Sequence, residues 1–401
     1  MQSMQPRLPV KLSRSRRYFV DQDGRPLFWL GTTQWELFRG YTVEEAKLII
    51  EGSARAGFSF IQTKVHGSGD GTKPNLAGDR PFLDDNPLTP NEAYFRNVDA
   101  VVEAARECGM IISLSIYHQS CRALFPLPKL RPWARWFAAR YAGMPNVIWN
   151  MTPEATEEFL PIIRELAAGV RDADGRRHLI TFKPDPAPYS SSFMHGEKWL
   201  DFDSMQTWKD VALIYPMVTK DYRMRPVKPV LMAEGAYEAG TEYGFDVTPL
   251  WVRRQAWYSY LAGAHHAYGH NDSWRVLPTW RQSLAAPGAL EMGVLRKILE
   301  ARAEWWRLVP DQELLASGGR TEGAILTLGA RHERGRWGMV YMAEPGSCAL
   351  RLERLSSRTL TAAWIDPRTG ESIRLGALTG RGVRDFSTPA GWEDSLLVLE
   401  A

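Results

Sequence analysis

Between Phe28 and Arg307 the chain alternates strand-like and helix-like segments so regularly that few folds remain open to it. Strand-like runs fall at Phe28 to Thr33, Phe58 to Val65, Met110 to Tyr117, Val147 to Asn150, His178 to Phe182, Asp203 to Thr207, Pro229 to Ala233 and Ala264 to Tyr268. Helix-like segments lie between or after them. These are Val43 to Ala56 behind the N-cap Thr42, Asn91 to Cys108 ended by Gly109, Trp133 to Tyr141, Glu157 to Asp172, Lys209 to Tyr222, Pro249 to Leu261 and Gly288 to Arg307. Runs such as Met110-Ile111-Ile112-Ser113-Leu114 are apolar on both faces, as strands of a buried parallel sheet are. Strands alternating with helices over about 280 residues predict an α/β chain built as a (β/α)8 TIM barrel. Ahead of it, Pro9 to Leu12 and Arg17 to Val20 with the turn Asp21-Gln22-Asp23-Gly24 read as a hairpin.

The pattern changes at Pro310. Short alternating runs follow at Ala324 to Leu328, Trp337 to Met342, Leu360 to Ile365 and Ser395 to Leu399, separated by Gly318-Gly319, Pro345-Gly346 and Asp366 to Gly370. Their spacing predicts a small C-terminal antiparallel β-sandwich over 310–401, packed directly on a barrel domain of residues 1–309.

Composition narrows the function classes. A net charge of +3, with no basic block or basic-aromatic stripe, argues against nucleic acid as a partner. Three cysteines, Cys108, Cys121 and Cys348, lie far apart with no CxxC pair, so neither a disulfide framework nor a zinc site is indicated. No run approaches the roughly 18 apolar residues of a membrane span, and no membrane partner is expected. Met1 to Val20 has no apolar signal core, which predicts a cytoplasmic protein, or a secreted or periplasmic one if a leader has been removed. Most of the 16 Trp are expected to fill the core, with a few left to stack on sugar rings.

A barrel of this kind carries its site at the C-terminal ends of the strands. The fourth strand ends in Met151-Thr152-Pro153-Glu154, and the seventh ends at Glu234. Those strands stand on opposite walls, so Glu154 and Glu234 can face each other, as glycosidic cleavage requires of a proton donor and an ionised partner. The plainer alternative is that both glutamates pair with Lys or Arg at the rim. The other strand ends offer neutral hydrogen-bonding groups and aromatics. Candidates for binding a polyhydroxylated substrate are Trp35, Gln62, His66, Tyr117, His118, Gln206, Trp208, Tyr237, His266, His270, Asn271 and Trp274. The four-residue spacing of His266 and His270 invites a metal, but that segment supplies no acidic ligand, so no metal and no cofactor are expected. No G-x-S-x-G elbow supports a serine hydrolase.

Several segments carry a resemblance: Tyr18-Phe19-Val20 through Phe28-Trp29-Leu30-Gly31, Gly57 to Gln62, Pro145 to Trp149, Asp201 to Gln206, Lys228 to Leu231 with Glu234 and Tyr237-Glu238, and Tyr268 to Asn271. Through them the chain resembles the apiosidase-like glycoside hydrolase family, a cellulase-like (β/α)8 group. Its tail around Trp364-Ile365-Asp366-Pro367-Arg368-Thr369-Gly370 is similar to the collagen-binding-type β-domain that often follows that barrel. The resemblance implies a retaining glycosidase of clan A type acting on a plant or microbial glycan, with Glu234 as nucleophile and Glu154 as acid/base. Two departures stand out. The family's fourth strand usually ends Gly-Gly-Asp where this chain has Thr152-Pro153-Glu154, and an Asp usually precedes the first-strand Thr where this chain has Thr32. The rival readings are a non-catalytic carbohydrate-binding barrel and a metal-dependent barrel hydrolase.

Overall fold

The computed structural model describes residues 6–151 and 154–401. Eight parallel strands form the barrel, at Leu30–Thr33, Phe60–Lys64, Ile111–Ser115, Val147–Asn150, Ile180–Thr181, Asp203–Trp208, Val230–Gly235 and His265–Tyr268. Each strand pairs with its sequence neighbour except at one seam between the fifth and sixth, and the eighth pairs with the first. The lower lumen is apolar: Trp29, Phe60, Ile111, Ile148, Phe202, Leu231 and Ala267 meet there. Gly31 leaves the space that the Phe60 ring fills, since a Cβ at position 31 would lie 2.2 Å from it. The N-terminal segment is a three-stranded meander (Lys11–Leu12, Phe19–Val20, Pro26–Leu27) rather than a single hairpin. Its Phe19 stacks on Trp29 at 4.1 Å and plugs the barrel floor, so the site can lie only at the other end.

Helix starts follow local chemistry. Thr42 accepts from the Glu45 N–H while Glu45 reaches back to the Thr42 N–H, both at 3.2 Å, closing a capping box. The third helix begins at Leu127, before the expected Trp133, because Pro128 falls in the first turn, where its missing N–H costs nothing. The last barrel helix, Pro287–Glu300, stops short of the expected Arg307. Among the described residues no helix is long and apolar enough to cross a membrane.

The fifth strand is two residues long, and the ladder is interrupted between it and the sixth. Side chains stitch this seam: Thr181 Oγ1 donates to the Phe202 carbonyl at 3.0 Å and Ser204 Oγ to the Phe182 carbonyl at 2.6 Å. Behind it, His195 bonds Asp203 through Nδ1 (2.6 Å) and the Pro226 carbonyl through Nε2 (2.7 Å). Asp221 is buried beside this pair with no partner for either carboxylate oxygen among the described residues. Burial pushes its carboxyl up to about 6, opposed by Ser190 and reinforced by Asp203. A raised acid is stabilising in its protonated form, so this contribution is present below the ordinary value near 4 and is lost as pH rises through 6. We expect Asp221→Asn to flatten the pH dependence, gaining about 2–3 kcal/mol over the native chain at pH 8 relative to pH 4. Urea unfolding at the two pH values checks this; equal slopes with pH in both proteins would refute it.

At Leu308 the chain enters a six-stranded antiparallel sheet, ordered Leu308–Pro310, Thr327–His332, Trp337–Met342, Ser395–Glu400, Thr359–Ile365, Ser372–Thr379. A three-stranded sheet (Leu315–Ser317, Ser347–Arg351, Val383–Ser387) covers it, with Leu314, Val340, Leu350, Leu360, Trp364 and Leu397 between them. Its other face continues the barrel's core: Trp257 stacks on Tyr341 at 5.6 Å, and the Tyr258 hydroxyl accepts from the Leu326 N–H at 3.0 Å.

Candidate active site

The seventh strand would turn Glu234 away from the lumen if it alternated regularly, because Leu231 and Ala233 already point inward. A bulge corrects this. Met232 lies opposite Met205 but Glu234 opposite Gln206, so Ala233 is an extra residue and Glu234 swings into the mouth. Gln255 fixes the bulge, accepting from the Ala236 N–H at 2.7 Å and donating to the Ala236 carbonyl at 3.0 Å. Gly235 makes room, since a Cβ there would lie 2.2 Å from Gln255 Oε1.

Glu154 leaves the fourth strand at φ 59°, a left-handed conformation that costs energy in a non-glycine residue and gathers at functional sites. Its Oε2 meets His118 Nε2 at 3.1 Å, and His118 Nδ1 contacts Ser120 Oγ at 2.6 Å. Ser120 in turn donates to the Gly69 carbonyl. Burial alone would raise the Glu154 carboxyl, but the His118 hydrogen bond and the charges of Lys183 and Lys64 outweigh it and hold the group well below the usual carboxylate range. Burial pushes His118 down, against its bond to Glu154.

Two lysines form the floor. Lys183, only 1% exposed, contacts Glu234 and approaches Gln206 Oε1 at 3.4 Å. Lys64 rises from the lumen-facing row Phe60, Gln62, Lys64 of the second strand. Both ammonium groups lie over Trp35, 4.7 Å (Lys183) and 5.0 Å (Lys64) from its ring centre. Trp35 donates to the Tyr237 hydroxyl at 3.0 Å, and that hydroxyl is pushed well above its ordinary value by burial and then by the charge of Glu234. Asp185, half-buried just after the fifth strand, has its carboxyl raised by burial and by Glu154.

The structure thus brings Glu154, Glu234, Trp35, His118, Gln206, Trp208 and Tyr237 to one mouth. Trp35 has no free face for a sugar, being 3% exposed and covered by ammonium groups. Trp208 is the available platform, 41% exposed, at φ 49°, with Nε1 held by Gln206 Oε1 at 2.8 Å. Gln62 lies beneath the mouth, donating to the Ala233 carbonyl at 2.8 Å and to Thr33 at 3.1 Å. Trp274 packs edge-on against Tyr237, with ring centres 6.2 Å apart. His270 caps the short helix Asn271–Trp274, accepting from the Asp272 N–H at 3.1 Å, and Asn271 is buried in the same loop.

Three expected residues are not brought to the mouth. His266 points outward, because its neighbour Ala267 faces the lumen, and it meets Ser259 at 3.1 Å. His66 is packed among Phe82, Phe125 and Trp133, and Tyr117 lies against Phe125. Burial pushes both histidines down to about 3 and Tyr117 up to about 12. His265 turns to the floor against Phe19, so the eighth-strand histidines diverge. Among the described residues no three His, Cys, Asp or Glu side chains converge as a metal site. Sequence reasoning left out Lys183 and Asp185, which follow the fifth strand, where the strand-end rule applied to the other strands would have found them.

Comparison with known proteins matches the model of the apiosidase-like catalytic domain to residues 13–307 and that of a domain described as collagen-binding in a collagenase to 309–400. No curated protein matches the chain. A crystal structure of a glycoside hydrolase family 5 protein from Bacteroides vulgatus superposes with TM-score 0.89 at 22% identity, covering 98% of this chain and 93% of that one. A second structure, described as a glycoside hydrolase, gives 0.89 at 22% identity over 98% and 96% of the two chains. A family 27 β-L-arabinopyranosidase from Geobacillus stearothermophilus gives 0.55 at 12% identity over 93% and 96%. At these identities the likeness is one of fold.

Proposed function

Since the chain belongs to the apiosidase-like family, we propose that it hydrolyses glycosidic bonds with retention, using Glu234 as nucleophile and Glu154 as acid/base. The observation that carries this reading is the pair of carboxylates at the ends of the fourth and seventh strands, each held by a basic partner in one mouth. The alternative, a structural pair at the rim, fits less well. The Lys183–Glu234 pair is buried inside the mouth, where desolvation makes it a poor source of stability, and the chain spends a bulge on placing it.

The chemistry follows from the surroundings. Glu234 attacks the anomeric carbon from one wall as the glycosidic oxygen leaves toward Glu154 on the other. His118, Lys183 and Lys64 favour the anionic form of Glu154, the form that activates water in the second half-reaction. For the first half-reaction it must carry a proton, and His118, 3.1 Å away, is placed to share one. Trp208 offers its face to the sugar, and Gln206 orients both Trp208 and Lys183.

A leaving-group series tests this assignment. Purified protein is screened on aryl pyranosides and furanosides, and Glu154→Gln is then assayed on matched 2,4-dinitrophenyl and phenyl glycosides. Loss of the acid is expected to cost about 10²–10⁴-fold on the phenyl glycoside and far less in bond cleavage on the dinitrophenyl one. An equal loss on both would remove Glu154 from the acid role. Silence of the native chain on every glycoside would favour a barrel that binds glycan without cleaving it.

A further inference from the structure

Four cations are buried in the described part of the chain: Lys64, Lys183, Lys228 and Arg253. Three have partners. Lys183 meets Glu234, Lys228 donates to the His195 carbonyl at 2.6 Å, and Arg253 grips Asp394 at 2.7 and 2.8 Å. The side chain of Lys64, a residue 7% exposed, makes no hydrogen bond and no ion pair among the described residues; its ammonium lies over the Trp35 ring, 5.0 Å from the centre. A buried ammonium without an anion is expensive to keep, and proteins retain such groups where a partner arrives from outside.

We propose that this partner is a carboxylate on the sugar itself, so that the mouth accepts glycosides of uronic acids with Lys64 receiving the carboxylate of the glycone. The inference rests on the glycosidase reading above. Position supports it: the Lys64 ammonium lies over the Trp35 ring beside that of Lys183, which contacts Glu234, and beyond the effect of burial the charges that act on it include Glu154, Lys183, Glu234 and Glu36. Lys64 therefore shares with Lys183 the floor under the sugar that the two carboxylates would bridge. Glu36 is already engaged, accepting from Arg39 at 2.7 and 2.9 Å, and is not free to neutralise Lys64.

Charge balance supports it too. On the floor, the charges of Lys64 and Lys183 offset those of Glu154 and Glu234. When Glu154 takes up the proton it must donate, the floor gains one positive charge, which an anionic glycone cancels. The same anion screens the pull of Lys64 on the Glu154 proton, so binding the correct sugar prepares the acid. Asp185, the other acid on which Glu154 and Lys183 act, has its carboxyl raised by burial and by Glu154, which disfavours its ionised form there.

The test compares matched 4-nitrophenyl glycosides in both anomers: glucuronide against glucoside, and galacturonide against galactoside. The full chain is expected to favour the uronide of at least one pair by tenfold or more in kcat/KM. Lys64→Met, which removes an unpaired buried charge and so does not threaten folding, is expected to reduce that ratio below about twofold, while Lys64→Arg keeps most of it. A Glu234-dependent preference for the neutral member, or a uronide preference untouched by Lys64→Met, overturns the proposal and leaves the glycosidase reading standing. If no aryl glycoside is cleaved, calorimetry with free glucuronate, galacturonate, glucose and galactose decides it. At least tenfold tighter binding of one hexuronate, lost in Lys64→Met, supports the proposal; equal affinities or no hexuronate binding overturns it.

Discussion

Replacing Glu234 by glutamine is expected to abolish turnover, by roughly 10⁴-fold or more, while leaving the barrel folded. Glutamine keeps the size and most of the hydrogen bonding of glutamate but cannot attack an anomeric carbon. The site is built around this one side chain. The Ala233 bulge aims it, Gln255 fixes the bulge, Gly235 makes room for Gln255, and Lys183 supplies a counter-charge. Among the described residues no other carboxylate takes its place on the seventh strand, and Glu154 stands at the end of the fourth, on the opposite wall. Initial rates on the best aryl glycoside, with circular dichroism as the control for folding, measure the effect. Activity within tenfold of the native chain would remove Glu234 from the nucleophile role.

The second large effect is on stability. Arg253, on the barrel helix Pro249–Leu261, is fully buried and holds Asp394 of the C-terminal domain through two hydrogen bonds and Glu291 through a third. The Tyr341 hydroxyl donates to the same Asp394 at 2.6 Å. Arg253→Met is expected to cost about 3–5 kcal/mol, because it strands a carboxylate in an apolar interface rather than because the pair itself is strong. The physical test of that distinction is the double variant Arg253→Met/Asp394→Asn, which should recover much of the loss. Guanidinium unfolding reads both. A single-variant cost under about 1 kcal/mol would show that the two domains do not depend on this contact.

How much of the fold and the site is legible in the sequence follows from what each signal reports. The barrel strands are readable because both faces are buried, so runs such as Ile111–Ser115 stay apolar without alternation. The fifth strand is overestimated, since His178 to Phe182 looks like a full strand but side chains take over its ladder at the seam. The third helix starts earlier than expected because Pro128 falls harmlessly in its first turn, and Pro132 is carried inside the helix. At the site, the sequence places residues along a strand but not around it. His266 and Ala267 are equivalent by position, yet only one can face the lumen. The bulge at Ala233 has no local signature, so the strand-end position of Glu234 suggests an inward turn without supplying the reason for it. Lys183 is easily overlooked because a lysine after a strand suggests a rim, and nothing in the sequence shows that it is buried against Glu234.

The most direct measurement is to trap the intermediate. The protein is incubated with a panel of 2-deoxy-2-fluoro glycosyl fluorides, including uronic acid members, and then analysed by intact mass and peptide mapping. The predicted result is a stoichiometric adduct on the peptide carrying Glu234, absent in Glu234→Gln. An adduct on another carboxylate such as Asp185, or hydrolysis of glycosides with inversion and no adduct, would contradict it.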